Sequence, residues 1–239
     1  MLCKGCGQDK DLIKAHVIPE AFFRGLRHEK NHPRIITDVQ GVYPKKAPIG
    51  VYDKEILCLE CEGIFANLDD YGQSTLLQNS GRIEELKRGA ELLGYAIRDI
   101  DLDLFKLFLI GVLWRASVSS HDFYAKVKLG PYEKRIKDVV WNRLALGVGE
   151  FSYVMSRFKD DKLGKTMLNP HPERWYGVKY YRIYMFGYVV HIKVDKLRTP
   201  NLFRPFEMGG KGDLFMVARE IENSAELDAI IAVAGKSKK

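Results

Sequence analysis

Long apolar runs are missing from this chain of 239 residues. The longest, Leu107–Trp114, falls far short of the roughly 20 residues that a membrane-spanning helix needs. The polar opening MLCKGCGQDKD has no apolar segment of the kind a secretory signal carries. Both absences lead to the expectation of a soluble, cytoplasmic protein with no membrane partner. Cysteine is scarce too: the four present are grouped in pairs, unlike the dense framework of a small disulfide-stapled domain. No internal repeat on the scale of about 20–50 residues is visible, which excludes a solenoid. The stretch Gly209–Gly210–Lys211–Gly212 lacks the spacing and the Ser or Thr of a phosphate-cradling P-loop, so that nucleotide site is excluded. Apolar residues are not in deficit. At 46% apolar and 29% charged, the chain can bury a core.

The net charge of +7 is uneven. Residues 1–75 hold 10 basic and 11 acidic side chains, whereas the remainder hold 28 and 20. A polyanion would therefore be drawn mainly to the later part of the chain. Arg198, Arg204 and Lys211 lie there in a Gly- and Pro-containing stretch and are candidate phosphate contacts, a solvated loop being the plainer reading. The tyrosines between Tyr176 and Tyr188 could stack bases, although alternating aromatics more often build a sheet core. His121, His171 and His191 match no metal-ligand spacing.

The hydrophobic pattern predicts an α+β chain. Lys14–Ile18 reads as a short strand ended by Pro19, and Glu20–Leu26 as one or two helical turns. His28–Ile49 reads as a long loop, and Val51–Leu57 as a second strand running into Cys58. Leu59–Leu77 places Ile64, Leu68, Tyr71 and Leu76 on one helical face. A helical middle follows: Arg82–Leu93 as a surface helix, Leu104–Ser117 as a buried helix led by Asp99, Asp101 and Asp103, and Tyr132–Leu146 after the helix-opening pair Gly130–Pro131. Arg115 in the buried helix is expected to reach a carboxylate such as Asp103. The β-branched and aromatic segments Phe151–Phe158, Tyr176–Phe186, Tyr188–Val194 and Leu214–Ala218 predict an antiparallel sheet with a turn at Phe186–Gly187. Glu220–Ala234 offers a terminal helix and GKSKK a basic tail. Two regions result: 1–80, organised by cysteine, and 81–239, available for a substrate or partner.

Cys3, Cys6, Cys58 and Cys61 form two C-x-x-C pairs separated by 51 residues. This spacing points to one tetrahedral zinc, with four buried reduced thiols as the alternative. Four thiolates leave no open ligand position, so the zinc would be structural. With a net charge of −2 it calls for nearby cations, for which Lys4 and Lys54 are candidates.

Set in order, the chain reads C-x-x-C, A-H-V-I-P, then Y-D-x-x-I-L-C-x-x-C-E. This resembles the HNH branch of the His-Me finger nucleases, whose metal-binding core is two strands and a helix. The resemblance covers about residues 1–75. It implies a zinc-stapled ββα module in which His16 is the general base. Asp53 stands where the family usually has Asn, to orient His16 or bind metal. Glu62 stands where the family often has its last His. Ala15 replaces an Asp that often binds the catalytic ion, and Asn67 or Asp70 would have to serve as a further ligand. The cofactors implied are a structural Zn²⁺ and a catalytic Mg²⁺ or Mn²⁺, which suits the hard oxygens of Asp53 and Glu62. The segments D-D-Y-G and F-K-L-F-L-I-G-V-L-W-R-A-S are similar to uncharacterised bacterial HNH-like proteins. Such proteins often travel with mobile elements or antiphage defence systems, implying a nucleic-acid substrate and a protein partner from the same operon. The rival reading is a catalytically inactive zinc-containing module that binds nucleic acid or protein.

Overall fold

The computed structural model describes residues 1–24, 34–35, 45–46, 50–78, 82–147, 149–159, 167–207, 209–222, 224 and 226–228. Strand β1 (Ala15–His16) is followed by helix α1 (Ala21–Arg24), which Pro19 precedes. The expected loop His28–Ile49 lies mostly outside the described residues. Within it, β2 (Arg34–Ile35) pairs antiparallel with β3 (Lys45–Lys46). Strand β4 (Tyr52–Asp53) returns to pair antiparallel with β1 and leads into helix α2 (Leu59–Leu76). Helix α2 buries Cys61, Phe65, Leu68, Gly72, Thr75 and Leu76, a spacing of three and four that keeps one stripe inward.

The segment expected as a surface helix, Arg82–Leu93, is instead an edge hairpin. Strand β5 (Ile83–Arg88) turns at Gly89 into β6 (Glu91–Asp101). Its Glu, Leu, Lys and Arg residues favour a helix on propensity alone. Pairing with β6 overrides that preference, because strand formation is decided by cross-strand packing. Helix α3 (Leu102–Val118) starts where the Asp101 side chain accepts the Leu104 N–H at 2.9 Å. It is buried nearly all round because it lies between α2 and the sheet. Helix α4 (Pro131–Asn142) opens at Gly130, with φ of +57°, and packs on α3 through Ile136, Val139 and Val140.

The remaining strands are β7 (Tyr153–Phe158), β8 (His171–Trp175), β9 (Val178–Met185), β10 (Tyr188–Lys193) and β11 (Lys211–Arg219). They join β5 and β6 in one seven-stranded sheet of order β5-β6-β11-β7-β10-β9-β8. The sheet is therefore not confined to the C-terminal part. Nor is it wholly antiparallel, since β11 runs parallel to β7. Strand β8 was not foreseen. Pro172 in it cannot donate to a ladder, and β8 occupies the sheet edge where this is tolerated. Of the expected terminal helix only a few residues are described, and Glu226–Asp228 are helical.

One hydrophobic core runs through both halves of the sequence, from Cys3, Phe22 and Phe65 through α3 to Ile183, Val190 and Met216 on the inward face of the sheet. A smaller cluster on the outward face comprises Phe158, Leu168, Tyr184, Val189 and Ile221. Helices α2 and α3 approach closely at Gly72, where an added Cβ would stand 2.5 Å from the buried Phe108 ring. Gly72→Ala is accordingly expected to lower stability by about 1–3 kcal/mol, the usual cost of overpacking, as read by chemical denaturation.

Candidate metal centre and the neighbouring acid–base cluster

The chain builds the first cysteine turn with short-range hydrogen bonds. The Cys3 N–H donates to the Gln8 carbonyl and the Gly7 N–H to the Cys3 carbonyl, both at 2.9 Å. Gly7 takes φ of +73°, which suits glycine at the end of the C-x-x-C turn. The second turn is stitched to the first by Lys4 N–H to Ile56 O and Ile13 N–H to Leu57 O, each 2.9 Å. Gly5 fits between the Cys61 sulfur and Trp141, where a Cβ would lie 2.7 and 2.9 Å from them.

All four sulfurs consequently lie within 4.8 Å of one another, and none is in a disulfide. Four sulfurs at about 2.3 Å from a tetrahedral zinc would be about 3.8 Å apart, so the cluster fits that ion. Its protonation chemistry agrees. Burial pushes the Cys3 thiol up, but backbone N–H groups of Cys58, Cys6 and Gly5 outweigh this and lower it to about 6. The Cys61 thiol is driven far up by burial and by its three sulfur neighbours. Four adjacent thiols cannot all ionise unaided, and a divalent cation removes the conflict. Lys10, which is paired with Glu60, feels the Cys58 and Cys6 charges.

His16 and Asp53 are placed on the same two-stranded ladder but on opposite sides of it. Ala15 pairs with Asp53 and His16 with Tyr52, and successive side chains on a strand point to opposite faces. His16 accordingly shares its side with Tyr52, their rings 5.9 Å apart. The buried Asp53 carboxylate accepts from Ser119 Oγ at 2.7 Å, Ser120 N–H at 2.9 Å and Ser120 Oγ at 3.2 Å on one oxygen. The other accepts the Glu55 N–H at 2.8 Å. Burial pushes the pKa of Asp53 up, yet these donors outweigh it and hold the group below its ordinary value. Asp53 therefore fastens β4 to the end of α3. The expectation that it orients His16 or offers an oxygen to a metal is corrected by the strand register and by this set of donors.

Glu62 occupies the first turn of α2. One of its oxygens, Oε2, is buried with no hydrogen-bond partner. Burial raises its pKa against the pull of Arg115. Asn67, the further ligand considered, is exposed and sits about 140° around the helix from Glu62. Asp69 was not anticipated. Seven residues after Glu62, it returns to within about 20° of the same face.

Arg115 joins these groups. Its fully buried guanidinium grips both Asp69 oxygens, at 2.6 and 2.7 Å, and donates to the His16 carbonyl at 2.9 Å. It also lies 4.5 Å from the Phe65 ring centre. Its partner is thus Asp69, not Asp103, which accepts the Gly210 N–H at 2.9 Å. Burial raises the pKa of Asp69, while Arg115 acts to lower it. A seven-residue interval on α2, two turns of helix, is the sequence signal that could have linked Asp69 to Glu62.

Arg198, Arg204 and Lys211 are all exposed. Arg204 sits in a 3-10 turn, Asn201–Phe206, and Lys211 opens β11 opposite Asp101. Among the described residues the cysteines are the one cluster of three or more His, Cys, Asp or Glu side chains close enough to hold a metal. No described helix is long and apolar enough to cross a membrane. No protein-family model, curated protein or solved structure matches this chain.

Two outcomes are expected. Elemental analysis of dialysed protein should find about one zinc per chain, and Cys58→Ser or a strong chelator should release it with loss of folded structure. Fully folded, zinc-free protein would contradict the assignment. Arg115→Met should cost about 3–5 kcal/mol by leaving buried carboxylates uncompensated. Adding Asp69→Leu should recover part of that loss, as a double-mutant cycle in denaturant would show.

Proposed function

We propose that the protein is a metal-dependent phosphodiesterase acting on nucleic acid through an HNH-type centre. In this reading the cysteine-bound zinc is structural, His16 is the general base and Glu62 holds a catalytic Mg²⁺ or Mn²⁺. The observation that carries the reading is the buried, unpartnered Glu62 oxygen on the turn that follows Cys61. It stands where the HNH pattern has its last histidine, in a β1–β4–α2 unit that carries His16 on its first strand.

The chemistry follows from these residues. Mg²⁺ is commonly held by one or two carboxylates with phosphate oxygens and water completing the shell, so a cage of three side chains is not required. A bound divalent ion would supply charge stabilisation at the phosphate leaving oxygen. A neutral imidazole near pH 7 can take the proton of an attacking water. Arg115 acts as a positioning residue, tying the His16 backbone to α2 through Asp69. Ala15 is fully buried opposite Asp53. The acid that the family often places there is missing, and in this reading Glu62 on α2 takes over its task. The exposed Arg198, Arg204 and Lys211 would contact phosphates of DNA or RNA. A role in phage defence or a mobile element, with a protein partner from the same operon, belongs to this proposal.

A second reading, a catalytically inactive zinc-containing binding module, draws on the engagement of Asp69 by Arg115 and of Asp53 by the serines. Cleavage assays separate the two. Zinc-loaded protein with added Mg²⁺ or Mn²⁺ is expected to nick plasmid DNA or cut RNA. His16→Ala should slow this by about 10²–10⁴-fold without unfolding the chain. Glu62→Gln should recover partly at higher metal concentration. Undiminished cleavage by His16→Ala would overturn the mechanism. Salt-sensitive binding without cleavage would favour the second reading.

A further inference from the structure

The two edges of the seven-stranded sheet are built differently. Strand β8 closes one of them with Pro172, which has no N–H to offer a further strand. Strand β5 forms the other. Among the described residues its one sheet neighbour is β6, and Ile83–Arg88 are all exposed or half-exposed. Every second residue of such a strand directs its N–H and C=O away from the sheet, where another strand can pair with them. The β5–β6 connection is only Gly89 and Ala90, so no long loop overhangs the edge. The irregularity between the two strands lies on the inner one. Leu86 pairs with Gly94 and Lys87 with Leu92, so the extra residue, Leu93, belongs to β6, and β5 itself is regular.

Charge selects the strand that fits this edge. Strand β5 reads I-E-E-L-K-R, with two acids before Leu86 and two bases after it. In a two-fold antiparallel pair the axis passes between the two copies of one residue. With the axis at Leu86, Glu85 lies opposite Lys87 of the partner subunit, and Glu84 opposite the partner's Arg88. Directly opposed residues share a face of the sheet, where opposite charges attract and like charges repel. The symmetry repeats both pairs on the other side of a Leu86–Leu86 contact. Moving the axis to Glu85 brings the two Glu85 side chains together and sets Glu84 against leucine. Moving it to Lys87 brings the two Lys87 side chains together and sets Leu86 against arginine. Parallel pairing in register would set acid beside acid and base beside base. The strand is therefore complementary to its own copy in one register.

These charges are free to change partners. Glu84 meets Arg98 at 2.8 Å, Lys87 meets Glu85 at 2.6 Å and Arg88 meets Glu91 at 2.8 Å, yet each of these side chains is at least 45% exposed. Ion pairs so exposed contribute little. Arg98 also keeps Asp213 when Glu84 turns to a neighbouring strand. The same charges discourage pairing with an unrelated apolar strand, a usual guard on an open edge.

We propose that β5 is the surface through which two copies of this chain pair, antiparallel about Leu86, to join their sheets across a two-fold axis. The proposal is independent of catalysis at His16.

Sedimentation velocity of the zinc-loaded full chain at low salt tests it. Weak interfaces bury less than about 1,200 Å², and a single edge strand belongs to that class, so the mass should rise from one chain to two at roughly 10–100 μM protein. Glu84→Lys combined with Glu85→Lys, and separately Lys87→Glu combined with Arg88→Glu, should each weaken the dimer by at least about tenfold, because like charges then oppose one another. An equimolar mixture of the two variants should restore it, since one strand is then basic and the other acidic along the contact. Hydrogen exchange on the parent protein needs no variant, and it decides the question if either variant loses zinc or folded structure. Amides of β5 should exchange more slowly as protein concentration rises, while those of β8 should not change. A mass of one chain at every concentration would overturn the proposal. So would a dimer as strong in both variants as in the parent, folded variants that stay monomeric when mixed, or β5 exchange that is independent of concentration.

Discussion

A guanidinium removed from water must be matched by charge and by hydrogen-bond acceptors, and the fold around Arg115 meets that demand. Asp69 on α2 supplies both carboxylate oxygens, His16 on β1 supplies a carbonyl, and the Phe65 ring lies across from it. Three elements from distant parts of the sequence are thereby held in one relation. The strand that carries His16 and the helix that carries Glu62 are fixed to the same cation, so their separation does not depend on exposed loops. Asp53 adds a second tether, from β4 to the end of α3.

The cysteine cluster has a different task. It joins the Cys3–Cys6 turn to the start of α2, and α4 covers this junction through Trp141, whose ring lies 4.9 Å from Trp114 and 5.3 Å from Phe65. One core then continues through α3 to the sheet. Metal affinity and folding are coupled in such a unit, because the ionisation of four neighbouring thiols is unfavourable until a cation shares their charge. The sheet adds a separate resource. Its inward face is apolar and packed on the helices, while its outward face spends buried charge on Glu173, His191 and Arg182.

Much of this was legible in the residues because it depends on local pattern. The two C-x-x-C pairs, the apolar stripe of α2, the acids that lead into α3 and the Phe186–Gly187 turn each need only a few neighbouring positions to be recognised. The failures needed information carried by distant partners. Arg82–Leu93 has the composition of a helix, and only its pairing with β6 makes it a strand. Asp53 looked like a site residue until the register placed it on the far side of the ladder from His16. Arg115 was expected to seek Asp103, but twelve residues of helix put the two about 18 Å apart, and Asp69 across the α2–α3 contact is the carboxylate within reach. His171, Glu173, Arg182 and His191 are dispersed over three strands, so their assembly has no signature in spacing. The nuclease resemblance rests on motif order and on the α2 acid.

The account separates a zinc that holds the fold from a second divalent ion held at Glu62, and Mn²⁺ electron paramagnetic resonance distinguishes the two. Zinc-loaded protein would be titrated with Mn²⁺ in the presence of an oligonucleotide carrying a non-hydrolysable phosphorothioate backbone. The account predicts about one bound Mn²⁺ per chain in addition to retained zinc, and loss of that Mn²⁺ in Glu62→Gln. Mn²⁺ that enters only by displacing zinc, or that binds Glu62→Gln as well as the parent protein, would contradict it.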